Sequence, residues 1–234
     1  VVANQTGKIF DENVITIVWA RRFAAYKRAN LLLRDFERFL ALVNNKEFPV
    51  QVIWAGKPYP EDFGAIGIFN DIHWKTKELP NCAILTGYEM ELSRLLKRGS
   101  DLWLNTPKMF REASGTSGMT AAMNGSVNLS IPDGWIPEFS KHGKNCFIIS
   151  PAETDASDEQ DQIENDNLLT LLEKEIVPMY YQKPKQWTAV VKQSMEDVVP
   201  LFDSNRMARE YYEKLYTTTN TKTKASKDKE LEVI

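Results

Sequence analysis

The sequence predicts a doubly wound α/β domain on a parallel sheet, and three observations carry that expectation. Six short runs rich in β-branched and aromatic residues lie between residues 14 and 149. Each is largely apolar at successive positions rather than alternating, as strands covered on both faces are. Helical patterns separate them, and strand–helix alternation builds a parallel sheet with helices on each side. The size agrees: 234 residues, 43% hydrophobic and 26% charged, suffice for one large domain or two small ones with a substantial core.

In chain order, the expected strands cover residues 14–19, 50–55, 82–85, 101–104, 127–130 and 146–149. Between the first two, Leu32, Phe36, Phe39, Leu40 and Val43 recur at spacings of three and four, with Arg34, Asp35, Glu37 and Arg38 on the opposite side, which is an amphipathic helix. A second helix near residues 88–97 carries Leu92, Leu95 and Leu96. After Pro151 the character changes. Residues 153–166 hold Asp155, Asp158, Glu159, Asp161 and Glu164 without a basic residue, and read as a solvated loop or helix lead-in. Helices are expected at 167–181, 185–199 and 204–216. Residues 217–234, poor in apolar side chains, read as a disordered tail. One domain over residues 1–216 and a tail are therefore expected. No internal repeat is evident, and the opening Val1-Val2-Ala3 suggests a piece of a longer chain.

Composition excludes several function classes. Twenty-nine basic and thirty-two acidic residues give a net charge of −3, against a broad nucleic-acid surface. No apolar run reaches the roughly 18–20 residues of a membrane helix, and the opening residues lead us to expect no secretory leader. Cys82 and Cys146 cannot form a disulfide framework and read as reduced thiols in a cytoplasmic protein. His73 and His142 stand apart with no carboxylate cluster at ligand spacing, so no metal site is expected. Trp19, Trp54 and Trp103 fall in strand runs and read as core, whereas Trp135 is the better candidate beside a ligand.

Parallel sheets bind ligands where loops gather at the strands' carboxyl ends, and three such loops stand out. The first, residues 20–28, crowds Arg21, Arg22, Lys27 and Arg28 into eight positions. Arg22 and Lys27, five apart, would converge from the loop and the first helical turn on a dianion such as phosphate; a solvated basic rim is the plainer alternative. The second sets Gly56 and Lys57 after the second strand, where glycine allows close backbone approach or simply makes a turn. The third, residues 112–119, runs Glu112, Ala113, Ser114, Gly115, Thr116, Ser117, Gly118, Met119. Small residues there expose backbone N–H groups at a helix start, an anion nest, and Glu112 offers an acceptor for sugar hydroxyls.

These loops, in this order, resemble the carboxyl-terminal half of the α-glucan phosphorylases, the glycogen, starch and maltodextrin phosphorylase family. The stretches at 20–28, 55–57, 101–107 and 112–119 carry the resemblance. Asn124-Gly125, Asp133-Gly134-Trp135 and Ser204-Asn205-Arg206-Met207 extend it over roughly residues 5–216. It implies the second, Rossmann-like domain of a GT-B glycosyltransferase, with the first domain missing. It implies too a reaction of phosphate with α-1,4-glucan to give glucose 1-phosphate, assisted by the phosphate of pyridoxal phosphate. By position, Arg22 and Lys27 would hold substrate phosphate, and Glu112, Ser114 and Gly115 would face glucose, with Gly56 and Lys57 beside the substrate. Thr116, Ser117 and Gly118 would meet the cofactor phosphate, and Tyr88 would line its pocket.

One position departs from the pattern. Where the family places the lysine that holds the cofactor as an imine, this chain has Thr120, which has no amine. Lys57 and Lys108 are substitutes only if the fold brings them close. Three readings stay open: a phosphorylase binding its cofactor without the covalent link, a nucleotide-sugar glucosyltransferase of glycogen-synthase type, and a non-catalytic glucan-binding or regulatory homologue. In each, the isolated chain is expected to be inactive, with a late helix at 204–216 directed toward the missing domain or used in self-association.

Overall fold

In the computed structural model, which describes residues 1–154 and 156–217, the β-branched runs form six strands. They are β1 (Ile15–Ala20), β2 (Val50–Ala55), β3 (Cys82–Leu85), β4 (Leu102–Asn105), β5 (Val127–Ser130) and β6 (Phe147–Ile148). All neighbours pair in parallel, in the order β3-β2-β1-β4-β5-β6. Every residue of β1, β2, β4 and β5 is buried, the reason these runs are apolar at consecutive positions. Strand order reverses between β1 and β4, so the loops after those strands flank the crevice at the switch point.

Among the described residues the α-helices are α1 (Val2–Thr6), α2 (Phe36–Val43), α3 (Phe63–Thr76), α4 (Met90–Gly99), α5 (Thr116–Met123), α6 (Ile136–Phe139), α7 (Ser157–Leu171), α8 (Val177–Gln182), α9 (Pro184–Phe202) and α10 (Ser204–Tyr211). One sheet face, with Ile15, Ile17, Trp19, Leu102 and Leu129, packs on Phe39 of α2, Ile72 of α3, Leu168 of α7 and Trp187 of α9. The other, with Val18, Ala20, Ala55 and Trp103, packs on Leu92 and Leu96 of α4 and Ala121 of α5. A third cluster joins Ala122, Trp135, Ile136, Phe139 and Val198. Each fully buried Leu or Ile contributes about 1.5–3 kcal/mol.

The helix expected from residue 32 divides in two. Asp35 caps α2, its carboxylate accepting from the Arg38 amide at 3.0 Å, so Leu31–Leu33 forms a separate 3-10 turn. Helix α3 has no sequence expectation because Phe63 and Trp74 are exposed and blur its apolar stripe. A π-helical turn, Leu172–Ile176, links α7 to α8; Pro178 just beyond it has no amide hydrogen for a regular helical bond.

Of the two expectations for the acidic stretch, the helix lead-in holds from Ser157 onward, where it builds most of α7, and its carboxylates are not merely solvated. Glu164 is fully buried, with Oε2 2.5 Å from Arg28 Nη2, and its Oε1 accepts from the Ala152 amide at 3.1 Å. Asp161 also pairs with Arg28 at 2.8 Å, Asp158 with Arg34 at 2.7 Å, and Asp166 with Arg38. Acidic residues near 160 thus meet basic ones near 30, and charge separated along the chain is matched in space. Helix α10 buries none of its residues, and Met207 and Tyr211 are exposed. The expected tail, beyond Thr217, lies outside the described residues.

Candidate active site

Two loops converge at the switch point because Arg28 ties them together. Its Nε donates to the Thr106 carbonyl at 2.9 Å and its Nη2 to the Pro107 carbonyl at 2.7 Å. In return, the Thr106 hydroxyl donates to the Lys27 and Arg28 carbonyls at 3.0 and 3.1 Å, and the Lys108 amide donates to the Tyr26 carbonyl at 2.7 Å. Arg28 sits in the left-handed region at φ 44°, ending the 3-10 turn Ala25–Lys27. No regular helix starts there; the helix that points into the site is α5.

The cleft between these loops, of about 180 Å³, is lined by Arg21, Lys27, Asn105, Glu112, the Ser114–Gly118 segment, Asp133 and Trp135, among others. Gly115, at φ +85°, lies just before α5, and no side chain caps that helix. The first four amide hydrogens of a helix have no partner within it, and its positive end favours anions. Gly118 is required by packing: a Cβ there would lie 2.6 Å from Asn128 Oδ1. Gly134 holds the opposite wall, at φ +62° with the space for a Cβ only 2.6 Å from the Ser114 carbonyl oxygen. Asp133 accepts from the Arg111 and Glu112 amides at 3.1 and 2.9 Å and so fixes the turn that presents Glu112.

The cations distribute differently from the sequence expectation. Lys27 does reach the cleft, but its Nζ is 2.6 Å from Glu112 Oε2, both side chains being largely buried. Arg22 is exposed and does not line the cleft; Arg21 takes that place. The backbone ladder continues past β1, the Arg21 amide donating to the Ala55 carbonyl at 3.0 Å. Side-chain alternation therefore puts Arg21 on the face of Trp19, and its guanidinium lies 5.6 Å from that ring's centroid. Arg21 Nη2 donates to Asn105 Oδ1. Asn105 in turn donates to Asn128 at 2.9 Å, and Asn128 to the Gly118 carbonyl at 3.0 Å. Arg21 Nε is buried without a partner, and no carboxylate forms an ion pair with Arg21 among the described residues. Burial lowers the Arg21 pKa, opposed by the nearby Glu112, Tyr88 and Tyr26.

The remaining expected residues spread around this centre. Ser114, Gly115, Thr116, Ser117 and Gly118 gather in the cleft. Gly56 instead packs under Arg21: at φ +140°, a Cβ would come 2.0 Å from the Arg21 carbonyl oxygen. Lys57 is exposed and outside the lining. Tyr88 is half-buried, its hydroxyl 3.1 Å from that of Ser93. Thr120 lines a neighbouring groove with Ser93 and Lys97, and its hydroxyl donates to its own helix, at the Thr116 and Ser117 carbonyls. Lys108 is held by Ser157 and Asp161. Trp135 combines both readings, lining the cleft while buried against Phe139 and Phe202. His73 and His142 are exposed, and no group of three or more His, Cys, Asp or Glu able to hold a metal occurs among the described residues. No helix among them is long and apolar enough to cross a membrane.

No protein-family model matches the chain. An uncharacterised protein of Methanocaldococcus jannaschii is 48% identical over 216 residues, 92% of this chain and 40% of that protein. The maltodextrin phosphorylase of Thermococcus litoralis is 39% identical over 88% of this chain and 25% of its own length. For the glycogen phosphorylase of Aquifex aeolicus the values are 36%, 90% and 31%. The chain thus spans between a quarter and two-fifths of the length of these relatives, consistent with their carboxyl-terminal half. Among solved structures, Anabaena HepE in complex with UDP and glucose superposes with a TM-score of 0.65 at 16% identity, over 92% of this chain and 51% of HepE. That likeness is one of fold, the GT-B glycosyltransferase scaffold. Sequence relatives and scaffold agree: the chain is a homologue of the α-glucan phosphorylases, a glycogen phosphorylase-type domain.

Proposed function

We propose that this chain is the carboxyl-terminal, Rossmann-like domain of a cytoplasmic α-glucan phosphorylase homologue acting in storage-polysaccharide metabolism. Together with a first GT-B domain it would split α-1,4-glucan with phosphate to give glucose 1-phosphate. The observation that supports this most is one cleft holding a guanidinium without a carboxylate counter-ion, the uncapped start of α5 and the carboxylate of Glu112. Arg21 and Lys27 would bind the substrate phosphate dianion, each charge-assisted hydrogen bond contributing about 1.5–3 kcal/mol. Glu112, oriented by Asp133 and neutralised by Lys27, would accept from glucose hydroxyls. Phosphate drawn to Lys27 would release Glu112 toward the sugar, so the two binding events would favour one another.

Pyridoxal phosphate fits this cleft at its phosphate end, where the partnerless Arg21 Nε and the amides of Thr116, Ser117 and Gly118 would hold it. When bound, the cofactor supplies a phosphate group able to give and take a proton. The residue at position 120 provides no amine, since Thr120 stands there. A cleft of about 180 Å³ is below the roughly 300–1,000 Å³ usual for ligand sites, so a facing domain would complete it and exclude water. The isolated chain would accordingly be inactive, and exposed Met207 and Tyr211 of α10 would meet that domain or a second copy.

Titration with glucose 1-phosphate followed by NMR tests the site. Shifts are expected at the Arg21 guanidinium and the Lys27 ammonium; an unshifted cleft would remove the assignment. Thr120 favours a second reading, in which Arg21 and Lys27 neutralise the diphosphate leaving a nucleotide sugar. Tighter binding of a nucleoside diphosphate than of glucose 1-phosphate in the same titration would select it.

A further inference from the structure

We propose that Lys97, on the last turn of α4, is the amine this chain offers to the aldehyde of pyridoxal phosphate in place of one at position 120; the inference rests on the phosphorylase reading above. Lys97 and Thr120 line the same groove, together with Met90, Ser93 and Asn124. Thr120 follows Thr116 by one helical turn, about 6 Å along the α5 axis. A ligand anchored by phosphate at the start of α5 would therefore reach the level of this groove. Tyr88 stands near both places. It interacts electrostatically with Arg21 of the cleft, and its hydroxyl lies 3.1 Å from the hydroxyl of Ser93 in the groove.

The other cations nearby are committed. Arg94, also in the groove, pairs with Glu91 at 2.7 Å; Lys27 pairs with Glu112; and Lys108 is held by Ser157 and Asp161. Lys57 is exposed beyond both linings. Lys97 has no carboxylate partner among the described residues, and its Nζ lies 6.0 Å from the Trp103 ring centroid. Burial lowers its pKa, which raises the fraction present as the neutral, nucleophilic amine.

The chemistry is a condensation without oxidation or reduction. The Lys97 Nζ lone pair adds to the aldehyde carbon, and the carbonyl π electrons become an alkoxide that takes a proton. The resulting carbinolamine loses water as the C=N bond forms, both amine hydrogens having gone to the departing oxygen.

Borohydride trapping tests this in the full-length protein. Hydride converts the C=N bond to a stable secondary amine, and peptide mass mapping then locates the pyridoxyl group. The label is expected on Lys97, absent in Lys97→Arg, and moved to position 120 in Thr120→Lys combined with Lys97→Arg. Lys97→Arg keeps the charge and the long stem, and an unchanged circular dichroism spectrum shows that it folds. Cofactor retained on dialysis but unlabelled, or labelled at another lysine, overturns the assignment to Lys97 and leaves the phosphorylase reading standing. No retention of pyridoxal phosphate also overturns the assignment to Lys97, whereas the phosphorylase reading falls only if added cofactor supports no glucose 1-phosphate release.

Discussion

Replacing Glu164 by glutamine removes one charge from a buried ion pair while keeping the side chain's shape and its acceptor for the Ala152 amide. Arg28 is 3% exposed and Glu164 0%, so the guanidinium would lose a partner where water cannot compensate. Breaking a buried pair from one side costs about 3–5 kcal/mol. Asp161, 2.8 Å from Arg28 and partly exposed, retains part of the compensation, which puts Glu164→Gln near the lower figure, about 3 kcal/mol. For a domain of this size that lowers Tm by roughly 6–12 °C. The consequence extends to the site, because Arg28 also holds the Thr106 and Pro107 carbonyls and through them the loop leading to Glu112. Asp158→Asn is the control: its exposed pair with Arg34 should contribute under about 1 kcal/mol. Urea and thermal unfolding of the two variants, with an Arg28→Met/Glu164→Gln double-mutant cycle, measures the difference. Equal, sub-kilocalorie effects of both single changes would refute the view that α7 anchors the site through Arg28.

Other outcomes follow from the same geometry. Arg21→Met should weaken phosphate binding in calorimetry by roughly 10–100-fold, the loss of a charge-assisted hydrogen bond, whereas Arg22→Met should leave it nearly unchanged. Glu112→Gln should free the Lys27 ammonium, so phosphate binding tightens while any sugar-dependent gain in affinity disappears; weakened phosphate binding would show that Lys27 needs Glu112 for its position. Gly134→Ala should destabilise by about 2 kcal/mol in chemical denaturation, from a left-handed backbone and crowding of the Ser114 carbonyl. Burial pushes the thiols of Cys82 and Cys146 from about 9 up to about 12. Native protein should therefore resist alkylation until urea is added. Because the folded-state pKa is the higher one, the thiols' contribution to stability is complete below pH 9 and declines from there to pH 12.

The strands were legible because burial on both faces writes itself as consecutive apolar residues; the run at residues 50–55 matches β2 at both ends. The third loop was equally readable, since small residues before a helix leave few structural alternatives. Helix α3 was not, because exposed Phe63 and Trp74 carry no phase information. The helix lead-in of the acidic stretch was legible, but its burial was not, because composition registers charge and not its distant partner: Glu164 is buried beside Arg28. The choice between Arg21 and Arg22 turned on one backbone bond, Arg21 to Ala55, which extends strand alternation by a residue. Lys97 was invisible as a partner for Thr120 because the two are brought together by α4 and α5, more than twenty residues apart in the chain.

The most direct measurement is glucose 1-phosphate release from maltodextrin and phosphate by the full-length protein, with and without added pyridoxal phosphate. Release that requires the cofactor, and that falls with Arg21→Met but not with Arg22→Met, is expected. No release with cofactor and phosphate present, alongside glucosyl transfer from a nucleotide sugar, would contradict a phosphorylase and leave only the ancestry of the domain.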